Sequence, residues 1–207
     1  RLVISTDDPE MAEVARALGV EVPFMRPGEL AEDTTPDFPV VEHAIKWFEE
    51  HEGKRPDMLV HLRPTTPLKA AADITKGIEL MHENPDAQSV RSICKPIHTP
   101  FKMYRIEEGN KFLIPLLQKE YPELFTKLKE PYNMPRQILP VIWRHSGYVD
   151  IMRSEVVMDL RSMSGSRMLP LFFDAWRDVD IDCKEDLLWA ENIVERLRKE
   201  GKEPWQS

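Results

Sequence analysis

The 207-residue sequence has few cysteines, no closely spaced glycines and no long apolar run. Its two cysteines, Cys94 and Cys183, lie far apart and show no metal-ligand spacing, which fits a reducing cytoplasm better than a disulfide framework. No apolar run approaches the roughly 18–20 residues of a membrane span, and no stretch resembles a signal peptide. The eight glycines are isolated from one another, so a GxGxxG dinucleotide-binding motif is excluded.

Basic residues are outnumbered by acidic ones, 28 to 36. The net charge is −8 and there is no basic tract, so neither nucleic acid nor an anionic membrane is an expected partner. An anionic substrate would therefore need local cations or a metal ion. The hydrophobic content of 42% and the charged content of 31% are typical of a globular protein.

Patterns of strands and helices alternate over the first 95 residues. The helix that begins after Asp8-Pro9 and ends at Gly19 is expected to bury Met11, Val14, Ala15 and Leu18. The further predictions are strands at 2–6, 20–25, 58–62 and 87–93, and helices at 40–50 and 73–83. Such alternation predicts an α/β fold with a mostly parallel sheet.

The pattern changes in the middle of the chain, where prolines cluster. We interpret 1–95 plus 146–207 as the α/β core and 96–145 as an insertion, within which a helix is predicted near 122–128. Phe101, Tyr132 and Trp143 are expected to form an exposed partner surface there. The core resumes with a strand at 147–152, a helix at 154–160 and a strand at 169–173.

The residues Val179-Asp180-Ile181-Asp182 alternate with the period of a strand, which would send both carboxylates to one face. Two such carboxylates suit Mg²⁺, which is commonly held by one or two of them together with substrate phosphates and water. The alternative is an acidic cap, with Asp182 or Asp186 as N-cap of a helix at 185–198. The inner face of that helix is predicted to consist of Leu187, Leu188, Ala190, Val194 and Leu197.

The loop after the predicted strand at 58–62 reads Arg63-Pro64-Thr65-Thr66-Pro67. Ligands of open α/β sheets bind outside the carboxyl ends of the strands, so the position favours a binding role. A proline-stiffened turn without a ligand is the alternative.

Six short stretches resemble segments of one enzyme family and occur in that family's order. They are VISTDD (3–8), MRPGELAEDTTPDFPVVEHAI (25–45), LRPTTPL (62–68), PRQILP (135–140), SGYVDI (146–151) and VDIDCKEDLLWAE (179–191). The family is the acylneuraminate cytidylyltransferases, or CMP-sialic acid synthetases. Its members have a nucleotide-diphospho-sugar transferase fold, which is glycosyltransferase-A-like, and carry a dimerisation insertion.

The resemblance implies a Mg²⁺-dependent nucleotidyltransferase that joins an acidic, sialic-acid-like 2-keto sugar to CMP, using CTP and releasing pyrophosphate. Asp180 and Asp182 would be the catalytic residues that hold the metal. The residues implied at the nucleotide are Arg26, Arg63, Thr65 and Thr66, and those implied at the sugar acid are Lys102, Arg136, Gln137, Arg144, Ser146 and Gly147. Region 96–145 would form a homodimer. Salt bridges at the rim are the alternative role for Arg136 and Arg144.

Three departures from the family pattern matter. The family's basic, glycine-containing phosphate loop has no counterpart within the 207 residues, which look truncated at the amino end, so we expect this stretch alone to show no nucleotidyl transfer. Arg63 replaces a glutamine and Ser146 an asparagine, and residues 162–170 do not match the family's sugar-pocket segment. The alternatives are a degenerate member that acts as a binding or assembly module, or an enzyme that uses another sugar or nucleotide, including guanylyl transfer to a sugar phosphate.

Overall fold

The structure is a computed structural model and describes residues 1–205. The chain divides into two compact units, which we name the core unit (Arg1–Ser92 with Gly147–Ser207) and the middle unit (Ile93–Ser146). The α-helices are α1 (Pro9–Ala17), α2 (Asp37–Glu52), α3 (Ala71–Glu83), α4 (Pro122–Leu128), α5 (Ser154–Met158) and α6 (Lys184–Lys199). The strands are β1 (Met58–His61), β2 (Ser89–Cys94), β3 (Tyr104–Arg105), β4 (Ile114–Pro115), β5 (Arg144–Arg153) and β6 (Met168–Phe172). Short 3₁₀ helices lie at Gly28–Leu30, Pro100–Lys102, Pro131–Asn133, Arg136–Ile138 and Ala175–Arg177.

The core unit is built on a sheet with strand order β1-β5-β2-β6. Strand β5 pairs antiparallel with β1, and His61 lies opposite Asp150. Neighbouring residues of β5 face opposite sides of the sheet: Ile151 packs in a cluster with Met81 of α3, and Met152 packs in a cluster with Ile45 of α2. The predicted α/β architecture is therefore confirmed, with an antiparallel pair that makes the sheet mixed.

Helix α3 approaches β5 closely at Gly77. A Cβ atom placed there would lie 2.7 Å from the Cδ1 atom of the fully buried Ile151. The glycine thus allows close packing of helix on sheet at a place where no larger side chain fits without rearrangement.

The amino-terminal region differs from the prediction. Helix α1 begins as expected, because Asp8 accepts hydrogen bonds from the backbone amides of Glu10 (2.7 Å) and Met11 (3.3 Å). The strands predicted at 2–6 and 20–25 are reduced to one parallel bridge between Val3 and Glu21.

The predicted inner face of α1 is wrong apart from Ala15. Ala12 and Ala15 are the buried residues, whereas Met11, Val14 and Leu18 are 63%, 57% and 76% exposed. A single bridge offers the helix less apolar surface than the predicted strands would have offered, so its long side chains stay in solvent. Helix α6 shows a smaller error of the same kind: it buries Ala190, Ile193 and Leu197, while Leu187 and Leu188 are exposed.

The middle unit contains the antiparallel pair β3–β4, helix α4 at its predicted position and a core of Phe101, Phe125 and Leu139. The prediction that Phe101 is exposed is wrong, because its side chain fills this core and is 1% exposed. Trp143 is 45% exposed, and Tyr132 is partly buried. In neither unit does a described helix have the length and apolar character needed to cross a membrane.

Candidate functional site

The segment with the two aspartates does not form the predicted strand. The backbone amide of Ile181 donates one hydrogen bond, of 2.8 Å, to the carbonyl of Thr65, and this single bond takes the place of a strand ladder. The predicted alternation of burial is nevertheless present. Val179 is 6% exposed and Ile181 is partly buried, both in a cluster with Leu68, whereas Asp180 and Asp182 are exposed.

Both carboxylates are available to a ligand. Within residues 1–205, neither the Asp180 nor the Asp182 carboxylate takes part in a hydrogen bond or an ion pair. Two exposed carboxylates two residues apart are a donor set that fits Mg²⁺. No group of three or more potential metal ligands occurs in the described part of the chain, so substrate oxygens and water would have to complete the coordination.

Helix capping is performed by a neighbouring residue. Cys183 is the N-cap of α6, and the Asp186 carboxylate accepts hydrogen bonds from the amides of Asp182 (3.1 Å) and Cys183 (3.0 Å). The Cys183 thiol and these two amides lower the pKa of Asp186. The capping role considered for Asp182 is therefore met by Cys183 and Asp186, and the side chain of Asp182 is left for another role.

The turn at 63–66, to which Ile181 binds through Thr65, is held by a residue that the sequence analysis missed. The Lys69 ammonium donates to the carbonyl oxygen of Arg63 (2.6 Å) and to the carbonyl and hydroxyl oxygens of Thr66. Burial, and secondarily Arg63, lower the pKa of Lys69 to about 8, while Asp180 and Asp150 oppose that shift. The available sequence signal was a lysine directly after LRPTTPL, where a cation would face the turn.

Arg63 itself belongs to an ion-pair cluster. Its Nη1 atom donates to the Asp150 carboxylate at 2.8 Å, its Nη2 atom donates to Asp37, and the Nη1 atom of Arg91 lies 3.3 Å from Asp150. Asp150 is completely buried. The missing side chain of Gly147 leaves room for this arrangement, because a Cβ atom there would be 3.3 Å from Cδ of Arg63. The sequence did contain a signal for this buried ion pair, because Asp150 is an acidic residue within an apolar strand.

The same cluster surrounds His61, whose pKa is lowered by burial and by the nearby Arg63. The lowered pKa favours a neutral His61 at neutral pH, which adds no positive charge beside the two arginines.

The other residues predicted at the nucleotide lie in the core unit. Arg26 binds back to the amino-terminal segment through its amide to Thr6 (2.8 Å) and its Nη2 atom to Asp7 (3.1 Å). Its buried Nε atom has no hydrogen-bond partner among residues 1–205. The side chain of Thr65 is exposed and that of Thr66 is buried.

The residues predicted at the sugar lie in the middle unit, except Gly147. Lys102, Arg136, Gln137 and Arg144 are exposed, and Ser146 is buried. Arg136 donates to the carbonyl of Ile97 at 3.2 Å, and an Nη atom of Arg144 lies 3.9 Å from the sulfur of Cys94. No carboxylate holds Arg136 in the described part of the chain. The role of these residues toward a sugar acid stays a prediction.

The fold is shared with a solved structure. The chain is similar to a CMP:2-keto-3-deoxy-manno-octonic acid synthetase solved with CTP, with a TM-score of 0.57 and 13% identity over 93% of this chain and 80% of that one. This likeness confirms the predicted nucleotide-diphospho-sugar transferase type of α/β fold.

Sequence comparison identifies several related proteins. No protein-family model matches the chain. It is 28% identical to a CMP-N,N'-diacetyllegionaminic acid synthase of Campylobacter jejuni, over 93% of this chain and 76% of that enzyme. It is 24% identical to the post-translational flagellin modification protein B of Campylobacter coli, over 98% of this chain and 80% of that protein. It is 21% identical to the N-acylneuraminate cytidylyltransferase of Escherichia coli, over the whole chain and 45% of that enzyme. The predicted resemblance to acylneuraminate cytidylyltransferases is thereby confirmed.

Proposed function

We propose that the protein is a nucleotidyltransferase that couples an acidic 2-keto sugar to CMP, with CTP as the donor and pyrophosphate as the second product. The observation that carries the proposal is the pair of exposed carboxylates, Asp180 and Asp182, which form no hydrogen bond or ion pair within residues 1–205. The similarity to a CMP-N,N'-diacetyllegionaminic acid synthase supports the substrate class.

Asp180 and Asp182 would hold Mg²⁺, which when bound polarises phosphate oxygens and stabilises the charge that develops on them. The remaining work of the chain is positioning, since phosphoryl chemistry needs little covalent help from the protein. We assign Arg26, Arg63, Thr65 and Thr66 to the nucleotide. The unpaired Nε donor of Arg26 supports its part in that assignment.

For the sugar acid we assign Lys102, Arg136, Gln137, Arg144, Ser146 and Gly147. A carboxylate is well matched by the planar fork of an arginine, and the exposed Arg136 and Arg144 supply that fork. We assign the middle unit to dimerisation. The support for a homodimer is its exposed apolar side chains, among them Ile97 (81%), Phe112 (78%) and Val141 (72%). A cytoplasmic location is consistent with two cysteines that form no disulfide.

The test is an assay of pyrophosphate release by the protein expressed from its complete coding sequence, with CTP, GTP, ATP or UTP, Mg²⁺ and a panel of acidic sugars. CTP with a 2-keto sugar acid should give the highest rate. Asp180→Asn should reduce kcat/KM by roughly 10²–10³-fold, the equivalent of the several kcal/mol that a metal supplies.

Glu191→Gln, which removes an exposed carboxylate on α6, is the matched control and should leave the rate unchanged. A higher rate with GTP, ATP or UTP than with CTP would show that CTP is not the donor. Binding of nucleotide without turnover would favour a degenerate binding module instead. Sedimentation of wild type and Phe112→Glu tests the dimer, which the charge should weaken.

A further inference from the structure

The side chain of Lys69 is placed to stabilise a turn of the protein and not to bind a substrate. An ammonium group has three N–H donors, and the three oxygens it contacts, those of Arg63 and Thr66, all belong to the turn that follows β1. All its donors are thus used inside the protein, and none is left for a substrate.

The braced turn is connected to the aspartate segment at two points. Ile181 donates its amide to the carbonyl of Thr65 (2.8 Å), and the buried Arg177 donates to the carbonyl of Leu68 (3.1 Å). Leu68 also shares a core cluster with Val179. Asp180 therefore lies between two residues, Val179 and Ile181, that are each fixed to the loop that Lys69 holds.

A lysine in this half-buried place loses hydration, as its lowered pKa reflects. An apolar side chain would avoid that penalty but could not bind three oxygens at once. The ammonium group therefore stabilises this conformation of the turn. The turn sets the position of Ile181.

We propose that Lys69 is a positioning residue for the carboxylate pair: it fixes the Thr65 carbonyl, which holds Ile181 and so presents Asp180 to a divalent cation in one orientation. The inference rests on the proposed function only in treating Asp180 as a metal ligand. Residues that support metal ligands in this way typically change metal affinity about 10-fold to 100-fold when they are replaced.

The experiment compares wild type, Lys69→Met and Lys76→Met, the last being an exposed lysine of α3 that serves as the matched control. Mn²⁺ binding is measured by electron paramagnetic resonance, and amide exchange at Ile181 is measured by NMR. Lys69→Met should weaken Mn²⁺ binding about 10-fold or more and should accelerate exchange at Ile181. Lys76→Met should change neither.

A double-mutant cycle separates positioning from general destabilisation. In an Asp180→Asn background, Lys69→Met should weaken Mn²⁺ binding little further, because the residue on which it acts has lost its charge. Unchanged exchange at Ile181, or Mn²⁺ binding that stays the same or tightens in Lys69→Met, would overturn the role of Lys69. If Asp180→Asn alone leaves the affinity for Mn²⁺ unchanged, the proposed metal site is overturned. The rate of amide exchange at Ile181 would still decide the role of Lys69.

Discussion

The buried carboxylate of Asp150 gives the sharpest test of how the core unit is held together. It is completely inaccessible and pairs with Arg63 at 2.8 Å and with Arg91 at 3.3 Å, two side chains that are 22% and 20% exposed. Asp150→Asn keeps the volume of the side chain and removes its charge. The perturbation therefore leaves two partly buried guanidinium groups short of a counter-charge without creating a cavity.

The expected loss is large. Removing one partner of a buried ion pair costs about 3–5 kcal/mol, because the remaining charge stays desolvated. Arg63 keeps Asp37 as a second partner, so we expect the lower end, about 3 kcal/mol. Native domains are stable by only about 5–15 kcal/mol, so this change should be plain in an equilibrium measurement.

The assay is urea unfolding followed by far-UV circular dichroism, with the change in free energy taken from the shift in midpoint at constant slope. Asp159→Asn is the control. It removes a carboxylate that is 61% exposed and paired with Arg55 at 3.2 Å, and it should cost no more than about 1 kcal/mol. Adding Arg91→Gln to Asp150→Asn should recover part of the loss, since Arg91 has no second carboxylate partner in the described part of the chain and would be left uncompensated. If Asp150→Asn costs no more than its control, the cluster is screened by solvent and the reasoning is refuted.

Two further predictions concern stability. Gly77→Ala should lower the free energy of unfolding by about 1–2 kcal/mol, because a methyl group would press on buried Ile151 more than the higher helix propensity of alanine compensates; Gly28→Ala, which meets nothing within 4 Å, should be neutral or slightly stabilising in the same urea titration. The pKa of Lys69 is about 8 in the folded chain and has an ordinary value of 10.5, so between these pH values the unfolded chain binds more protons and stability should rise with pH by up to ~3 kcal/mol from this group. Lys69→Met should lack this rise, and equal pH slopes for the two proteins between pH 8 and 10 would contradict the assignment.

Most helices and strands of the core unit were predicted correctly, because the sequence pattern that indicates each of them lies within a few neighbouring residues. Asp8 followed by Pro9 located the start of α1, and the helices and strands from β1 to β6 in the core unit lie within a few residues of their predicted positions. The buried faces of helices were predicted less well. Which side of α1 is covered depends on the strands beside it, and the residues around Val3 and Glu21 form one bridge only.

In the candidate site, too, local features were predicted from the sequence and pairing with other segments was not. The alternation of apolar and acidic residues at 179–182 predicted that Val179 and Ile181 lie on one face and both carboxylates on the other, and the burial of these four residues alternates accordingly. It was not enough to predict a strand, since a strand needs a neighbouring ladder and this segment has one backbone bond, to Thr65.

By itself the sequence determined the α/β class, the two exposed aspartates and the resemblance to CMP-sugar synthases, because these follow from local periodicity and from short motifs. Only the tertiary structure decided that Arg63 pairs with Asp150, 87 residues away, and that Lys69 braces the turn that holds Ile181. Partners of a buried charge are chosen by which strands lie side by side, and that choice is a property of the packed chain, not of any stretch within it.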